Sequence, residues 1–254
     1  MTATRTATTP TQPPPSPRTL AAELLASLRE QGSPANVAGM ARYNISANGT
    51  LGVSVPTVRA MARNARKRLG RDPGGHHELA ALLWDSGVHE ARLMATLVDD
   101  PTLVREEQAE SWIAQVDSWD ICDLLCNNLL WQTDFAWNKA AEWPGREAEF
   151  AKRAGFVLGA TLAVHDKAAD DESFPPLLDL ALRECTDERN LVKKAINWQV
   201  RQVGKRSAKL NAAAIATCER ILAEHPASTP ARWVARDALR ELRSDSVRTR
   251  LGIA

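Results

Sequence analysis

This 254-residue chain has little from which to build cross-links, metal sites or sheets. Its four cysteines, Cys122, Cys126, Cys185 and Cys218, show no paired-ligand or disulfide-framework spacing, so they read as small core residues in a reducing compartment. Cys122 and Cys126 stand four apart with no histidine nearby, and the five histidines are scattered; neither a metal nor an organic cofactor is expected. There is no Gly-rich phosphate loop, no nucleophile-elbow serine and no HExxH pattern. No apolar run approaches the length of a bilayer span. The opening "MTATRTATTPTQPPPSP" lacks the apolar stretch of a secretory signal, and its Thr/Pro content predicts a disordered tail over residues 1–16. A single domain over 17–254, located in the cytoplasm, is the expectation. The formal net charge is only +1, so an anionic partner must meet a local patch rather than bulk charge.

What the sequence does have is helical periodicity. Apolar positions recur at helix spacing from about residue 17 onward, and strand-like alternation is nearly absent, so the fold class is all-α. Helices are predicted over 17–30, 34–43, 56–69, 76–85, 88–98, 101–114, 118–128, 145–164, 174–184, 189–204, 207–223 and 230–242. Prolines just behind a capping residue, at "SP" 16–17, "DP" 100–101 and "TP" 229–230, mark helix starts. So many moderate helices with short links favour a stack of helical pairs over a bundle, although no clean sequence repeat is visible.

Charge is sorted by face on several of these helices. In "RNLVKKAINWQVRQVGKRSAKL", Lys194, Trp198, Arg201 and Lys205 share one stripe, while Val192, Ala195, Ile196 and Val203 take the other side. A solvated basic face explains the cations but not the indole in their midst; a phosphate-tracking surface explains both. In "PTVRAMARNARKRLG", Arg59, Arg63 and Arg66 share a stripe opposite Val58, Met61, Ala62, Ala65 and Leu69. Tyr43, the only tyrosine, lies shortly upstream, where a half-buried packing role is the ordinary reading.

The segment "DSWDICD" opens a helix capped by Asp117 or Ser118. Asp120 falls in its first turn, where a carboxylate meets the positive helix end and needs no further role. Asp123 lies one turn above Trp119 on the same side, with Ile121, Cys122 and Leu125 free to face the core. Two readings stay open for it: an ion pair with an arginine such as Arg153 of "EFAKRAGFVLGATLA", or a carboxylate presented to an electron-poor ligand.

Taken together, "MARY…LGVSVPTVRAMAR", "SWDICD", "KRAGFV" and "KKAINWQVRQVGK" resemble the AlkD-type DNA alkylation repair proteins, alkylpurine DNA glycosylases built from HEAT-like helical repeats. The resemblance runs in order over about residues 35 to 242. It implies a superhelical stack whose concave basic face grips double-stranded DNA. By motif position the family's tryptophan, aspartate and arginine around the lesion's sugar fall on Trp119, Asp123 and Arg153, with further aromatic contacts on Trp198 and Tyr43. Arg153 is then expected to hold a flanking phosphate, and Arg59, Arg63, Lys194, Arg201 and Lys205 the DNA backbone. It also implies that the damaged base need not be flipped, unlike in most base-excising enzymes. Where some relatives carry a second tryptophan before this pair, the present chain has Ser118.

The implied chemistry suits so sparse a site. A purine alkylated at N3 or N7 is already cationic and leaves neutral, so no acid is needed to protonate it, and one carboxylate beside the developing sugar cation can suffice. A monomer is the simplest expectation for a clamp-like stack. The competing expectation is a helical-repeat module that binds DNA, RNA or protein without chemistry.

Overall fold

The computed structural model describes residues 14–253. Residues 1–13, most of the expected tail, lie outside the described residues. All regular structure among the described residues is helical, in fourteen α-helices and three short 3-10 turns. Among the described residues no helix is long and apolar enough to cross a membrane.

Local chemistry sets the helix starts. Ser16, Ser33, Ser54, Asp72, Ser207 and Ser228 each accept a first-turn backbone N–H on the side chain, and proline occupies the first or second position behind the first four and behind Ser228. These fix α1 (Pro17–Glu30), α2 (Pro34–Ala41), α3 (Val55–Leu69), α4 (Pro73–Asp85), α12 (Ala208–Glu224) and α13 (Thr229–Leu242). The cap of α13 is Ser228 rather than Thr229, which is itself the first helical residue. The predicted start at 100–101 is wrong. Asp100 turns its carboxylate onto the N–H and hydroxyl of Thr102, at 3.0 and 2.6 Å, closing a local turn, so that α6 begins only at Glu106 and runs to Ala114.

The remaining helices are α5 (His89–Val98), α7 (Trp119–Asn128), α8 (Ala136–Glu142), α9 (Glu149–His165), α10 (Pro175–Glu184), α11 (Asn190–Gly204) and α14 (Asp245–Leu251). Periodicity missed α8 and α14. Both have seven residues, too few for an amphipathic pattern to repeat.

The helices stack in two layers. In one, α3 packs on α5, α5 on α7, α7 on α9, α9 on α11 and α11 on α13. Behind it α4 backs α1 and α5, α6 and α8 back α9, and α10 and α12 back α11. The apolar faces meet as anticipated: Val192, Ala195, Ile196 and Val203 are fully buried, and Val58, Ala62, Ala65 and Leu69 nearly so. Every candidate site residue on a helix therefore lies in the first layer.

α9 is the axis of this arrangement, buried without a break from Ala151 to Ala163. It can pass so close to its neighbours because of Gly155, where an added Cβ would stand 2.3 Å from Cδ and 2.7 Å from N of Pro144. The Pro144 ring is buried and cannot swing aside. Alanine is the better helix former by about 1 kcal/mol, yet Gly155→Ala is expected to lower stability by about 1–2 kcal/mol through overpacking. Equilibrium denaturation in urea checks this; an unchanged or raised midpoint would show that Pro144 yields.

Candidate functional site

α7 turns Ile121, Cys122, Leu125 and Cys126 inward, all essentially inaccessible, and this leaves Trp119 and Asp123 together on its other side. Asp123 meets Arg153 of α9 in a two-pronged pair, Nε to Oδ1 at 2.9 Å and Nη2 to Oδ2 at 2.8 Å. The Arg153 Nη1 donates to the carbonyl of Leu191 on α11 at 2.5 Å. One guanidinium thus ties three successive helices of the layer, while its side chain is only 7 % exposed. The Asp123 side chain keeps 15 % of its surface, so the carboxylate is covered but not sealed. A carboxylate offers about four lone-pair positions and the guanidinium occupies two. Burial pushes the Asp123 carboxyl above its ordinary value; the charge and hydrogen bonds of Arg153 pull against that push, and neighbouring Asp120 adds slightly to it.

The ion-pair reading of Asp123 is therefore realised, with Arg153 as the partner. Three of its five N–H groups donate to the protein, and one on each terminal nitrogen is left over. The geometry makes Arg153 the residue that orients Asp123.

Beside this pair lies a cleft of about 330 Å³ lined by Arg42, Tyr43, Asn44, Trp119, Arg153, Asn190, Leu191 and Lys194. Its outer wall is the loop between α2 and α3. Trp119 Nε1 donates to the Tyr43 carbonyl at 2.8 Å, so the indole of α7 carries the loop on its edge. Tyr43 is 71 % exposed and directs no packing; the half-buried role read from sequence is not what the fold gives it. Asn44 adopts the left-handed conformation, φ 57°, which asparagine tolerates better than most residues.

Groups that sequence reading passed over hold this loop. The cap of α7, expected at Asp117 or Ser118, falls on Ser118, whose hydroxyl makes no capping bond and accepts the N–H of Ser46 at 2.9 Å. His89 takes the Gly49 carbonyl with its backbone N–H at 3.0 Å and contacts Asp120 Oδ2 through Nε2 at 2.9 Å. The fully buried Glu90 carboxylate accepts the N–H groups of Leu51, Gly52 and Val53, the shortest at 2.6 Å from Gly52. Gly52 can present its N–H this way because it sits at φ 83°, where a Cβ would strike the Ser33 carbonyl at 2.4 Å. The sequence signal available was a glutamate at the second position of an apolar helix, HEARLMATLV, but its partners lie 37 to 39 residues away.

The basic stripes fare unequally. Lys194 is exposed in the cleft and has no partner among the described residues. Trp198 is half-buried against the core. Arg201 and Lys205, counted on as free cations, both bond Glu241 of α13 at 2.5 Å. On α3, Arg59 is half-buried and Arg63 exposed, both without partners among the described residues. Arg66 instead caps α5, donating to the Val98 carbonyl at 2.9 Å and to Asp99 at 3.2 Å. Arg42, in the quoted "MARY", was overlooked although it lines the cleft; so was an arginine–tryptophan face on α13 built from Arg232, Trp233 and Arg236.

No group of three or more His, Cys, Asp or Glu side chains that could hold a metal occurs among the described residues. All four cysteines are buried as free thiols, and burial pushes Cys185 up to about 11 and Cys218 up to about 12. What the site offers is a fixed carboxylate, aromatic faces and uncommitted cations.

A family model described as "DNA alkylation repair enzyme" matches residues 24–242. Among solved structures the chain is similar to one described as "A new family of proteins related to the HEAT-like repeat DNA glycosylases with affinity for branched DNA structures". The TM-score is 0.66 at 18 % identity, over 78 % of this chain and 81 % of that chain. At that identity the likeness shows the fold, a HEAT-like-repeat stack. No curated protein matches the chain.

If Glu90 fixes the cleft wall, Glu90→Gln should cost about 2–3 kcal/mol, because three amides lose a charged acceptor in a buried place. Hydrogen exchange at Leu51, Gly52 and Val53 should accelerate well beyond the rest of the chain. Unchanged protection of those amides would mean the loop is held without it.

Proposed function

The chain belongs to the DNA alkylation repair enzyme family, and from that premise we propose that it is a glycosylase releasing N3- or N7-alkylated purines from duplex DNA. The observation that carries this reading is a partly exposed carboxylate, fixed by a guanidinium beside an indole, at the edge of a cationic, aromatic cleft.

The reaction needs no proton delivered to the leaving base, since the alkylated purine departs neutral. The demand falls on the sugar, which gains positive charge as the C1′–N bond stretches. Asp123 supplies a preoriented anion for that charge and an acceptor for the attacking water. Arg153 serves Asp123 rather than the substrate. Burial at this position favours the neutral acid, and the adjacent guanidinium counters it while holding both oxygens in one orientation. Trp119 presents an aromatic face to the same cationic sugar, with Tyr43 and Trp198 as further aromatic contacts. The base can stay in the stack, because the charge to be stabilised is not on it. Lys194 and Arg42 at the cleft, and Arg59 and Arg63 along the layer, take phosphates, which fix register without reading sequence.

A second reading is a DNA-binding protein without chemistry. It is favoured by the same pair, since both Asp123 oxygens are already bonded to Arg153. The two readings part on one substitution. Asp123→Asn keeps an acceptor for Arg153 but removes the charge; it should abolish single-turnover release of N7-methylguanine from duplex while affinity for that duplex stays within about twofold. The melting temperature of the variant separates lost chemistry from lost fold. Release at the parental rate would leave the binding module standing.

Acidity provides an independent check. The Asp123 carboxyl lies above its ordinary value, so it takes up a proton at higher pH than a free aspartate would, and the active form is lost on acidification. Base release, corrected for spontaneous depurination, should decline already above pH 3.8. A rate flat down to that point would exclude an ionised Asp123 as the active form. Salt dependence tests the cations: Lys194→Ala should lower the slope of log affinity against log salt by about one. An unchanged slope would remove Lys194 from the interface.

A further inference from the structure

Away from the cleft, α13 carries a second surface of similar chemistry. Val234, Ala235, Ala238, Leu239 and Leu242 form its buried face. Trp233 is left outside, 37 % exposed, and with Tyr43 it is one of two exposed aromatic residues among the described residues. It lies in a depression of about 450 Å³ lined with Thr229, Arg232, Arg236, Asp237 and Arg240. The ammonium of Lys193, on α11, stands 5.3 Å from the Trp233 ring centroid. Asp237 engages Arg240, and Arg232 makes only a long contact to Thr229 at 3.4 Å. Arg236 has no partner among the described residues. The uncommitted charge is therefore positive, from Arg232 and Arg236, while Lys193 lies over one face of the indole.

We propose that Trp233, with Lys193, Arg232 and Arg236, is a second nucleic-acid subsite that stacks an unpaired nucleotide. This rests on the reading of the chain as a DNA-binding protein, though not on its being an enzyme. Cations alone would satisfy the phosphates of a paired duplex, whose bases keep their faces to one another. Lys193 engages one face of the exposed indole; a base laid on the other face adds the stacking by which single strands are held without sequence preference. Continuity favours nucleic acid over an acidic protein surface, since Lys193 at this patch and Lys194 in the cleft are consecutive residues of α11. Packed helices lie about 8–10 Å apart, and a strand advances about 3.4 Å per nucleotide. α13, which carries the patch, packs directly on α11, which lines the cleft, so one strand a few nucleotides long is on the scale to reach both. The geometry suits DNA whose pairing ends close to the cleft, such as a tailed duplex end or a junction.

The test compares binding of a lesion-free blunt duplex with the same duplex carrying a single-stranded tail. The parent protein should prefer the tailed form by about fivefold or more. Trp233→Ala should erase the preference and leave blunt-duplex affinity unchanged, Trp233→Phe should retain most of it, and Arg236→Ala should weaken tailed binding with a shallower salt dependence. Trp233 takes no part in the buried face of α13, and an unchanged melting temperature confirms that the variant folds. No preference in the parent, or a loss in Trp233→Ala that is equal for both DNAs, overturns the stacking subsite while leaving duplex binding intact. Failure to bind either DNA overturns this inference together with the DNA-binding reading beneath it.

Discussion

A single guanidinium organises the centre of this protein. Arg153 reaches from α9 to Asp123 on α7 and to the Leu191 carbonyl at the start of α11, so three successive helices of one layer share a polar fastening inside an apolar stack. Removing a charge pair from water costs several kcal/mol per ion, and only good geometry and further hydrogen bonds offset it. Both conditions hold here. Such a pair is weak evidence for stability but good evidence for specificity of arrangement, because any slip between the helices would strand a charge.

The same pair determines what the site can do. An isolated aspartate at this depth would be driven toward its neutral form; beside Arg153 it can remain an oriented anion. Three of the five guanidinium N–H donors are committed to the protein in the process. The cations left without partners among the described residues are others, among them Arg42 and Lys194 at the cleft and Arg59 and Arg63 on α3. The cleft wall repeats this logic with a backbone loop: Glu90, Ser118 and His89 turn buried polar groups to loop amides and a carbonyl, and Tyr43 is carried into the open on that support.

Much of this was legible in the chain. Side-chain period distinguishes helix from strand, so the all-α class and twelve of the helices followed from residues a few positions apart; the two missed helices are each one short run without a repeat. The indole and carboxylate on the outer side of α7 followed equally, since Ile121, Cys122 and Leu125 had to turn inward. The start at 100–101 failed because an aspartate before proline serves a turn as readily as a helix cap, and only the surrounding packing chose.

What the sequence by itself determined was therefore the set of helices and which face of each is apolar, because both depend on short-range spacing. The tertiary structure decided which charges remain available. Arg201 and Lys205 look as free as Lys194 along α11, yet both are bonded to Glu241, 36 to 40 residues away. Arg66 shares its stripe with Arg59 and Arg63 but ends up capping α5. Ion pairs and caps form between groups that chain folding brings within 3 Å across helices, and helical periodicity carries no record of which side chains will meet there.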